Sequence, residues 1–291
     1  MTISFNSGTA FVSLILAMML GTVACARPAE PWNTLPTERR LPEIQSQGYV
    51  EREGARIWYG SVGSGTPVIL LHGGMSSSRN WGNQVPELIR TNHQVILVDS
   101  RGHGRSTLGS TALSYELMAD DVLAVIDALG LDRTAVVGWS DGAIIGLVLA
   151  MHHPDRLTKV YAFGANMDQA AVKPGAANAP ILGRVVGRLA KDYAELSPAP
   201  DGFGALHQAV EAMQKTQPDY SAAQLAAIHG PEVLIADGAH DEFIRPEHPG
   251  YLARTIPGAK LEIFPAVSHF APWQDPVAFN RSMRGFLDGR P

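Results

Sequence analysis

Cysteine is nearly absent from this sequence, because Cys25 stands alone among 291 residues. The chain beyond it can therefore contain no disulfide, no zinc site built from thiolates and no cysteine nucleophile. The sequence also has neither an H-E-x-x-H pattern nor the spacing of a calcium-binding loop, so it indicates no metal. We expect no cofactor either.

Charge is also sparse. Charged residues make up 18% of the chain, the net charge is −5, and no run of five like charges occurs. Proteins that bind nucleic acid through its phosphates present a basic surface, so we expect no nucleic-acid partner. Apolar residues make up 45% of the chain, which supplies a large core, and 29 glycines with 20 prolines indicate many tight turns.

Residues 1–26 contain no charged side chain and no histidine. An apolar run at 10–20 precedes small residues, as in a secretory signal, and residues 24–26 fit a cleavage site. Cys25 also ends a segment that resembles a bacterial lipobox, which would make it a lipidated cysteine. Residues 8–26 are just long enough for a retained membrane anchor, and a misassigned start codon is the remaining alternative. We expect a signal peptide or lipoprotein leader and an exported protein, periplasmic or secreted, whose only membrane tether is its N-terminus.

Residues 27–48 contain four prolines among polar residues. This composition predicts an extended tether rather than a folded element. The folded domain is therefore expected over 49–291.

Short apolar runs alternate with helical patterns in this domain, which predicts parallel strands buried on both faces and an α/β fold. The domain is predicted to begin with a β-hairpin around Gly54. The segment 115–129 has one apolar helical face, and 141–153 is apolar nearly all round and should be a buried helix on the sheet. Further strands are predicted at 67–71, 94–98, 135–137, 157–163, 233–236 and 261–264, and a last helix at 276–287.

Residues 166–230 interrupt this alternation before the last two strands. They contain three helical stretches, at about 181–194, 203–216 and 219–229. A helical insertion near the carboxyl ends of strands predicts a lid over the site. The alternative is an extra helical layer without a gating role.

The sequence Gly-Trp-Ser-Asp-Gly at 138–142 matches G-x-S-x-G, the nucleophile elbow. An apolar run precedes it and an apolar helix follows, which is the strand–turn–helix context that the motif requires. The sharp turn strains the backbone of Ser140 and exposes its hydroxyl, while the two glycines allow close approach on either side. We therefore predict that Ser140 is a nucleophile.

A neutral serine needs a base and a group that orients the base. In chain order the acid and then the histidine should follow the serine. Asp241 and His269 each come just after a predicted strand, so His269 is the expected base and Asp241 the expected acid. Asp237 and Glu242 compete for the role of the acid.

The negatively charged oxygen that forms during acyl transfer needs preformed donors. One should be the backbone N–H of Asp141 at the start of its helix. The other should come from the turn after the strand at 67–71, where the N–H groups of Gly74 and Met75 remain alternatives.

Three side chains near the motifs could contact substrate. The carboxylate of Asp141 could attract a substrate ammonium, or it could only stabilise the helix N-terminus. Trp139 and Trp273 flank the predicted site in sequence, and each could line an acyl pocket or merely pack in the core.

These motifs resemble the α/β-hydrolase superfamily over about 50–290. The resemblance implies an eight-stranded, mostly parallel sheet, a lid and acyl transfer to water. GWSDG with FGAN at 163–166 is similar to the biphenyl-hydrolase-like branch, which includes valacyclovir-hydrolase-like serine esterases. Haloalkane dehalogenases and most epoxide hydrolases place aspartate at the nucleophile, so Ser140 argues against both. The resemblance rests on HGG at 72–74, DSRGHGRS at 99–106, GWSDG at 138–142, GAHDEFI at 238–244 and SHF at 268–270.

We therefore expect a serine hydrolase that cleaves a small carboxylic ester or lactone. A carbon–carbon bond hydrolase or a cofactor-free perhydrolase could use the same residues. A non-catalytic binding protein on this scaffold is the alternative outside enzymes, but such proteins usually lose a catalytic residue, and all three candidates are present here.

Overall fold

The structure is a computed structural model that describes residues 1–2 and 30–289. Nearly all of the predicted leader, including Cys25 and its candidate cleavage site, lies outside the described residues. Within the described ranges, no helix combines the length and the apolar character that a membrane crossing requires.

Eight strands form one sheet, which confirms the predicted architecture. The first two strands form an antiparallel hairpin at one edge, and the second also pairs antiparallel with the fourth. Every pairing among the third to eighth strands is parallel. The strands are β1 (Ser46–Arg52), β2 (Ala55–Val62), β3 (Thr66–Leu71), β4 (His93–Val98), β5 (Thr134–Trp139), β6 (Leu157–Phe163), β7 (Glu232–Gly238) and β8 (Lys260–Phe264). Their order across the sheet is β1-β2-β4-β3-β5-β6-β7-β8.

Helices cover both faces of the sheet, as the continuous apolar runs of the central strands require. Val68 to Leu71 of β3 are fully buried, and so are Val95 to Val98 of β4. The helices are α1 (Val85–Arg90), α2 (Tyr115–Ala128), α3 (Asp141–His152), α4 (Leu182–Leu196), α5 (Phe203–Gln214), α6 (Ala222–Ala226), α7 (His248–Thr255), α8 (Ala271–Gln274) and α9 (Pro276–Asp288).

Helix α3 positions the site at its N-terminus. Ten of its twelve residues are buried, because it packs against β3, β5 and β6 in the middle of the sheet. It ends two residues before Pro154, which begins a 3₁₀ turn, since proline cannot continue the hydrogen-bond pattern of a helix. The first residue of α3 is therefore held firmly at the carboxyl end of β5.

Helices α4, α5 and α6 lie between β6 and β7, in the predicted insertion at 166–230. The third of them is shorter than the predicted 219–229. The side chain of Ser221 accepts from the backbone N–H of Gln224 and caps the helix there, so Asp219 and Tyr220 precede it. The insertion is helical as expected, and a gating role for it stays a prediction.

The predicted tether differs from the structure in its described part. We call residues 30–45 the strap, because they are mostly extended but lie against the domain, and residues 46–48 already belong to β1. The backbone of Arg39 passes so close to Gly82 that a Cβ there would stand 1.6 Å from the Arg39 carbonyl oxygen. The physical reason is a set of apolar side chains between the prolines that bury themselves against the core, namely Leu35, Leu41 and Ile44.

Candidate active site

A cavity of about 470 Å³ opens at the carboxyl ends of the parallel strands. This is the edge of the sheet at which α/β proteins bind ligands. Ser140 and His269 both line the cavity. Helices α4 and α5 of the insertion each form part of its wall, so the insertion covers the site.

Ser140 occupies the sharp turn between β5 and α3. Its backbone has φ 56° and ψ −122°, a conformation that costs a residue with a side chain about 1–3 kcal/mol. Its N–H donates to the carbonyl of Phe163 at 2.8 Å, which fixes the turn to β6. The strain predicted from the motif is therefore present in the structure.

The two glycines of the motif allow close backbone contacts. A Cβ at Gly138 would stand 2.3 Å from the carbonyl oxygen of Gly142, and one at Gly142 would stand 2.1 Å from that of Leu71. No side chain fits at either position, so the serine turn can form only with glycine on both sides.

His269 and Asp241 meet in a buried hydrogen bond. The Nδ1 of His269 donates to Oδ2 of Asp241 at 2.5 Å, and the other oxygen of Asp241 accepts from the backbone N–H groups of Phe243 at 2.6 Å and Ile244 at 2.7 Å. With Nδ1 as the donor, the neutral ring presents a lone pair on Nε2. That nitrogen is free to accept a proton.

Burial and charge oppose each other at this pair. Burial alone would lower the pKa of His269, but the Asp241 carboxylate outweighs it and the pKa is raised. Burial would raise the pKa of Asp241, and His269 outweighs that effect, so this pKa is lowered. The pair thus favours a charged histidine beside a carboxylate, the arrangement that a general base reaches after it takes a proton.

Asp237 and Glu242, the other two candidates for the acid, lie close to the His269–Asp241 pair but make different contacts. Burial, followed by the neighbouring Asp241, raises the pKa of Asp237 far above its ordinary value. Glu242 accepts from the backbone N–H of His269 at 3.1 Å. Of these three carboxyl groups, Asp241 alone makes a hydrogen bond to the imidazole ring. Lys173 holds the loop of Asp241 in place by donating to the Asp241 backbone carbonyl at 2.5 Å.

The turn after β3 faces the serine. A Cβ at Gly73 would stand 3.1 Å from the Cβ of Ser140, and Met75 has φ 58°. Gly74, Met75 and Asp141 all line the cavity. Within residues 30–289, neither the N–H of Gly74 nor that of Met75 donates to a protein acceptor. Both groups therefore remain candidates for a donor to substrate oxygen.

The Asp141 side chain lies at the centre of a polar cluster that the sequence did not predict. Its Oδ1 accepts from the hydroxyl of Tyr115 at 2.9 Å and from the amide of Gln214 at 3.0 Å, and its Oδ2 lies 3.1 Å from the same amide. Burial raises the pKa of Asp141 despite these hydrogen bonds. Nothing in the sequence indicates that these three residues meet, and the apolar pattern at 115–129 predicts only that Tyr115 belongs to the buried face of α2.

The two tryptophans differ in their placement. Trp139 lines the cavity, and its indole N–H donates to the backbone carbonyl of His269 at 2.7 Å. Trp273 does not line it. Its ring packs edge-on against Trp139 at 4.9 Å between centroids, and its N–H donates to the carbonyl of Asn80. The hypothesis that Trp273 contacts substrate is therefore corrected: this residue supports Trp139 from behind.

The cavity has one apolar and one polar wall. Helix α4 supplies the apolar wall, and α5 with the residue that follows it supplies a mostly polar wall. The side chains on these walls are Leu182, Val185, Val186 and Leu189 on the first and His207, Val210, Glu211, Gln214 and Lys215 on the second. Within the described residues, no group of three or more histidine, cysteine or acidic side chains could hold a metal ion.

A family model described as the alpha/beta hydrolase fold matches residues 66–205. The chain is 31% identical over 255 residues to a candidate carbamate hydrolase, RutD, of Caulobacter sp. (strain K31), and the match covers 79% of this chain and 94% of that protein. It is 27% identical over 276 residues to the 2-hydroxy-6-oxo-6-phenylhexa-2,4-dienoate hydrolase of Comamonas testosteroni, with 80% and 92% covered.

Among solved structures, Est816 is described as an N-acyl homoserine lactone degrading enzyme. It matches with a TM-score of 0.67 at 28% identity, covering 82% of this chain and all of that one. The three matches each cover 79–82% of this chain, and the match to Est816 extends the likeness to the fold. The chain belongs to the α/β-hydrolase fold family, a family of hydrolases.

Proposed function

We propose that this protein is a serine hydrolase that cleaves a small carboxylic ester or lactone through an acyl-enzyme. One observation carries the proposal: Ser140 stands on a strained turn in the same cavity as His269, whose ring is hydrogen-bonded to the buried Asp241. A serine, a base and an orienting carboxylate are the groups that acyl transfer to a hydroxyl requires.

In the first half of the reaction, Oγ of Ser140 attacks the carbonyl carbon while Nε2 of His269 takes the hydroxyl proton. Asp241 stabilises the imidazolium that results. The carbonyl oxygen becomes negatively charged and accepts from the N–H of Asp141 and from that of Gly74 or Met75. The bond to the leaving oxygen then breaks, and His269 returns its proton to that oxygen.

In the second half, a water molecule replaces the departed alcohol. His269 takes a proton from this water as the water oxygen attacks the acyl carbon. The ester bond to Ser140 breaks, His269 gives the proton back to Oγ, and a free carboxylic acid leaves. With a lactone, the alcohol and the acid remain parts of one product.

The cavity supports a small substrate with an apolar part and a polar part. Its volume of about 470 Å³ is within the range of small-molecule sites. The apolar wall from α4 suits an acyl chain, and the polar end of α5 suits a hydrogen-bonding group. The relatives named for a carbamate and for a lactone act on an acyl carbon bonded to a heteroatom, which is consistent with this class.

A carbon–carbon bond hydrolase on the same residues is the second candidate. The likeness to the Comamonas testosteroni hydrolase over 92% of its length favours it. A perhydrolase or a binding protein has no comparable observation in its favour.

A panel of substrates separates these candidates. Wild-type protein and Ser140→Ala are incubated with short and medium acyl esters, lactones and 2-hydroxy-6-oxo-6-phenylhexa-2,4-dienoate, the compound named for the Comamonas testosteroni relative. The products are identified by mass spectrometry. We expect alcohol plus acid from esters and hydroxy acid from lactones, with Ser140→Ala slower by several orders of magnitude. Cleavage of this dienoate alone, with no ester or lactone turned over, would replace this proposal with the second candidate.

We also propose that the protein is exported, on the basis of the uncharged, apolar leader at 1–26. The mass of the mature N-terminus, measured after cell fractionation, tests this. A start at residue 27 would indicate a soluble product, a lipid on Cys25 would indicate an anchored one, and an intact leader in the cytoplasm would contradict export.

A further inference from the structure

The strap crosses the molecule beside the loop that carries His269. Its contact with that loop runs through the side chain of Gln274, in α8. The amide N–H groups of Gln274 lie 2.9 Å from the carbonyl of Trp32, 3.1 Å from that of Thr34 and 3.0 Å from the hydroxyl of Ser268. Its carbonyl accepts from the backbone N–H of Ser268 at 2.8 Å. Because Ser268 directly precedes His269, one side chain joins the strap to the base.

The strap also contacts the loop that carries Asp241. The indole of Trp32 lies flat on the ring of His240, with 3.7 Å between centroids and 4° between planes. His240 directly precedes Asp241. Trp32 thus contacts the neighbour of Asp241 directly through its ring, and its carbonyl reaches the neighbour of His269 by way of Gln274.

A second set of contacts holds the strap to the insertion. On α4, Arg184 donates to the carbonyl of Asn33 at 2.9 Å and Arg188 donates to that of Leu35 at 3.2 Å. Glu38 forms an ion pair with Arg188 at 3.7 Å. Since α4 forms the apolar wall of the cavity, the strap spans from this wall to the loops of His269 and Asp241.

We propose that the strap is a supporting part of the active site and that Gln274 and Trp32 are positioning residues for His269 and Asp241. Neither residue lines the cavity, so each acts through its neighbours. This inference rests on the proposed function, because it assigns a role in holding the base. A displacement of about 1 Å in a reacting group can cost about 10²-fold in rate, so fixing these loops has a measurable effect.

The test uses the whole chain with single substitutions. Gln274→Met keeps the length of the side chain and removes every hydrogen bond of the amide. Trp32→Ala removes the ring that stacks on His240. Because Trp32 is only half-buried, this change leaves the core unchanged. Gln208→Met is the matched control, because Gln208 is exposed on α5 and its side chain makes no hydrogen bond within the described chain.

Four quantities are measured: the rate at which a fluorophosphonate labels Ser140, kcat on the preferred ester, KM on the same ester, and the pH midpoint of the acidic limb of kcat/KM. Near-ultraviolet circular dichroism checks folding. We expect Gln274→Met and Trp32→Ala to lower kcat and labelling by about 10- to 100-fold, with KM within about twofold. A looser contact with Asp241 should also move the acidic midpoint to lower pH, whereas a change in stability alone would leave it in place.

The outcomes separate this inference from the proposed function. If wild-type protein is not labelled, the proposed function fails. If wild-type protein is labelled, and the folded Gln274→Met and Trp32→Ala variants are labelled at its rate with the same acidic midpoint, the positioning role is overturned. Should Gln274→Met not fold, Trp32→Ala decides alone, because its side chain lies at the surface of the domain.

Discussion

His269 donates through Nδ1 to Asp241 across 2.5 Å, and both side chains are buried. This contact fixes the tautomer of the ring and leaves the lone pair of Nε2 available. Asp241→Asn should therefore lower kcat by about 10⁴-fold, because an amide can stabilise the wrong tautomer and cannot stabilise the imidazolium. Steady-state kinetics check this, and unfolding by urea checks that the variant is folded. A loss of less than tenfold in a folded variant would remove Asp241 from the account.

The pH dependence follows from the raised pKa of His269. The base works only when it is neutral, and a raised pKa keeps it protonated up to a higher pH. We expect kcat/KM to fall as pH falls, with the midpoint above the ordinary histidine value of about 6.5. In Asp241→Asn the attraction is lost while burial remains, so the midpoint of the residual activity should shift below that of the wild type. A wild-type profile that is flat from pH 5 to pH 9 would argue against His269 as the base.

Gly164 offers a direct test of the position of the ring. A Cβ at Gly164 would stand 2.8 Å from Cε1 of His269, and the residue has φ +67°. Gly164→Ala should therefore displace the imidazole and lower kcat by about 10²-fold. Gly258→Ala is the control, because Gly258 has φ +72° and nothing within 4 Å of such a Cβ.

The two glycine variants should lose similar stability and differ in activity. Both introduce a side chain at positive φ, which costs about 1 kcal/mol or more in each. Thermal unfolding measures the shared loss. Equal activity in the two variants would show that the ring tolerates the collision.

Asp141→Asn distinguishes the two uses of the Asp141 carboxylate. Tyr115 and Gln214 already donate to it, and burial raises its pKa by opposing the charged form. We expect the ratio of kcat/KM for amino-acid esters to that for neutral esters to stay within about threefold, which is under 1 kcal/mol. A tenfold fall in this ratio would instead show that the carboxylate attracts a substrate ammonium.

Much of the sheet could be predicted because its strands are short, apolar runs. The observed β6 has the predicted bounds, 157–163. The strand predicted at 135–137 continues to Trp139, since Gly138 and Trp139 still pair with Ala162 and Phe163 of β6. Glycine usually ends such a run, and here the close packing of α3 requires it inside the strand.

The serine, acid and histidine candidates could be named because each follows a strand that ends at the same edge of the sheet. Contacts between segments that are distant in sequence could not be predicted, because they leave no local pattern in the sequence. Asp141, Tyr115 and Gln214 meet only after folding, and nothing near Gln274 indicates that it binds the strap. The four prolines at 27–48 predict an extended tether. Local composition does not show that Leu35 and Leu41 pack against the core of the domain, so the docking of this segment could not be predicted.

The central claim is that Ser140 is an activated nucleophile, and fluorophosphonate labelling tests it most directly. Wild-type protein and Ser140→Ala are treated with the reagent, and the modified residue is identified by mass spectrometry. We expect one label per chain, on Ser140, and none on the variant. A folded wild-type protein that takes no label at Ser140, or a Ser140→Ala variant that hydrolyses esters at the wild-type rate, would contradict the account.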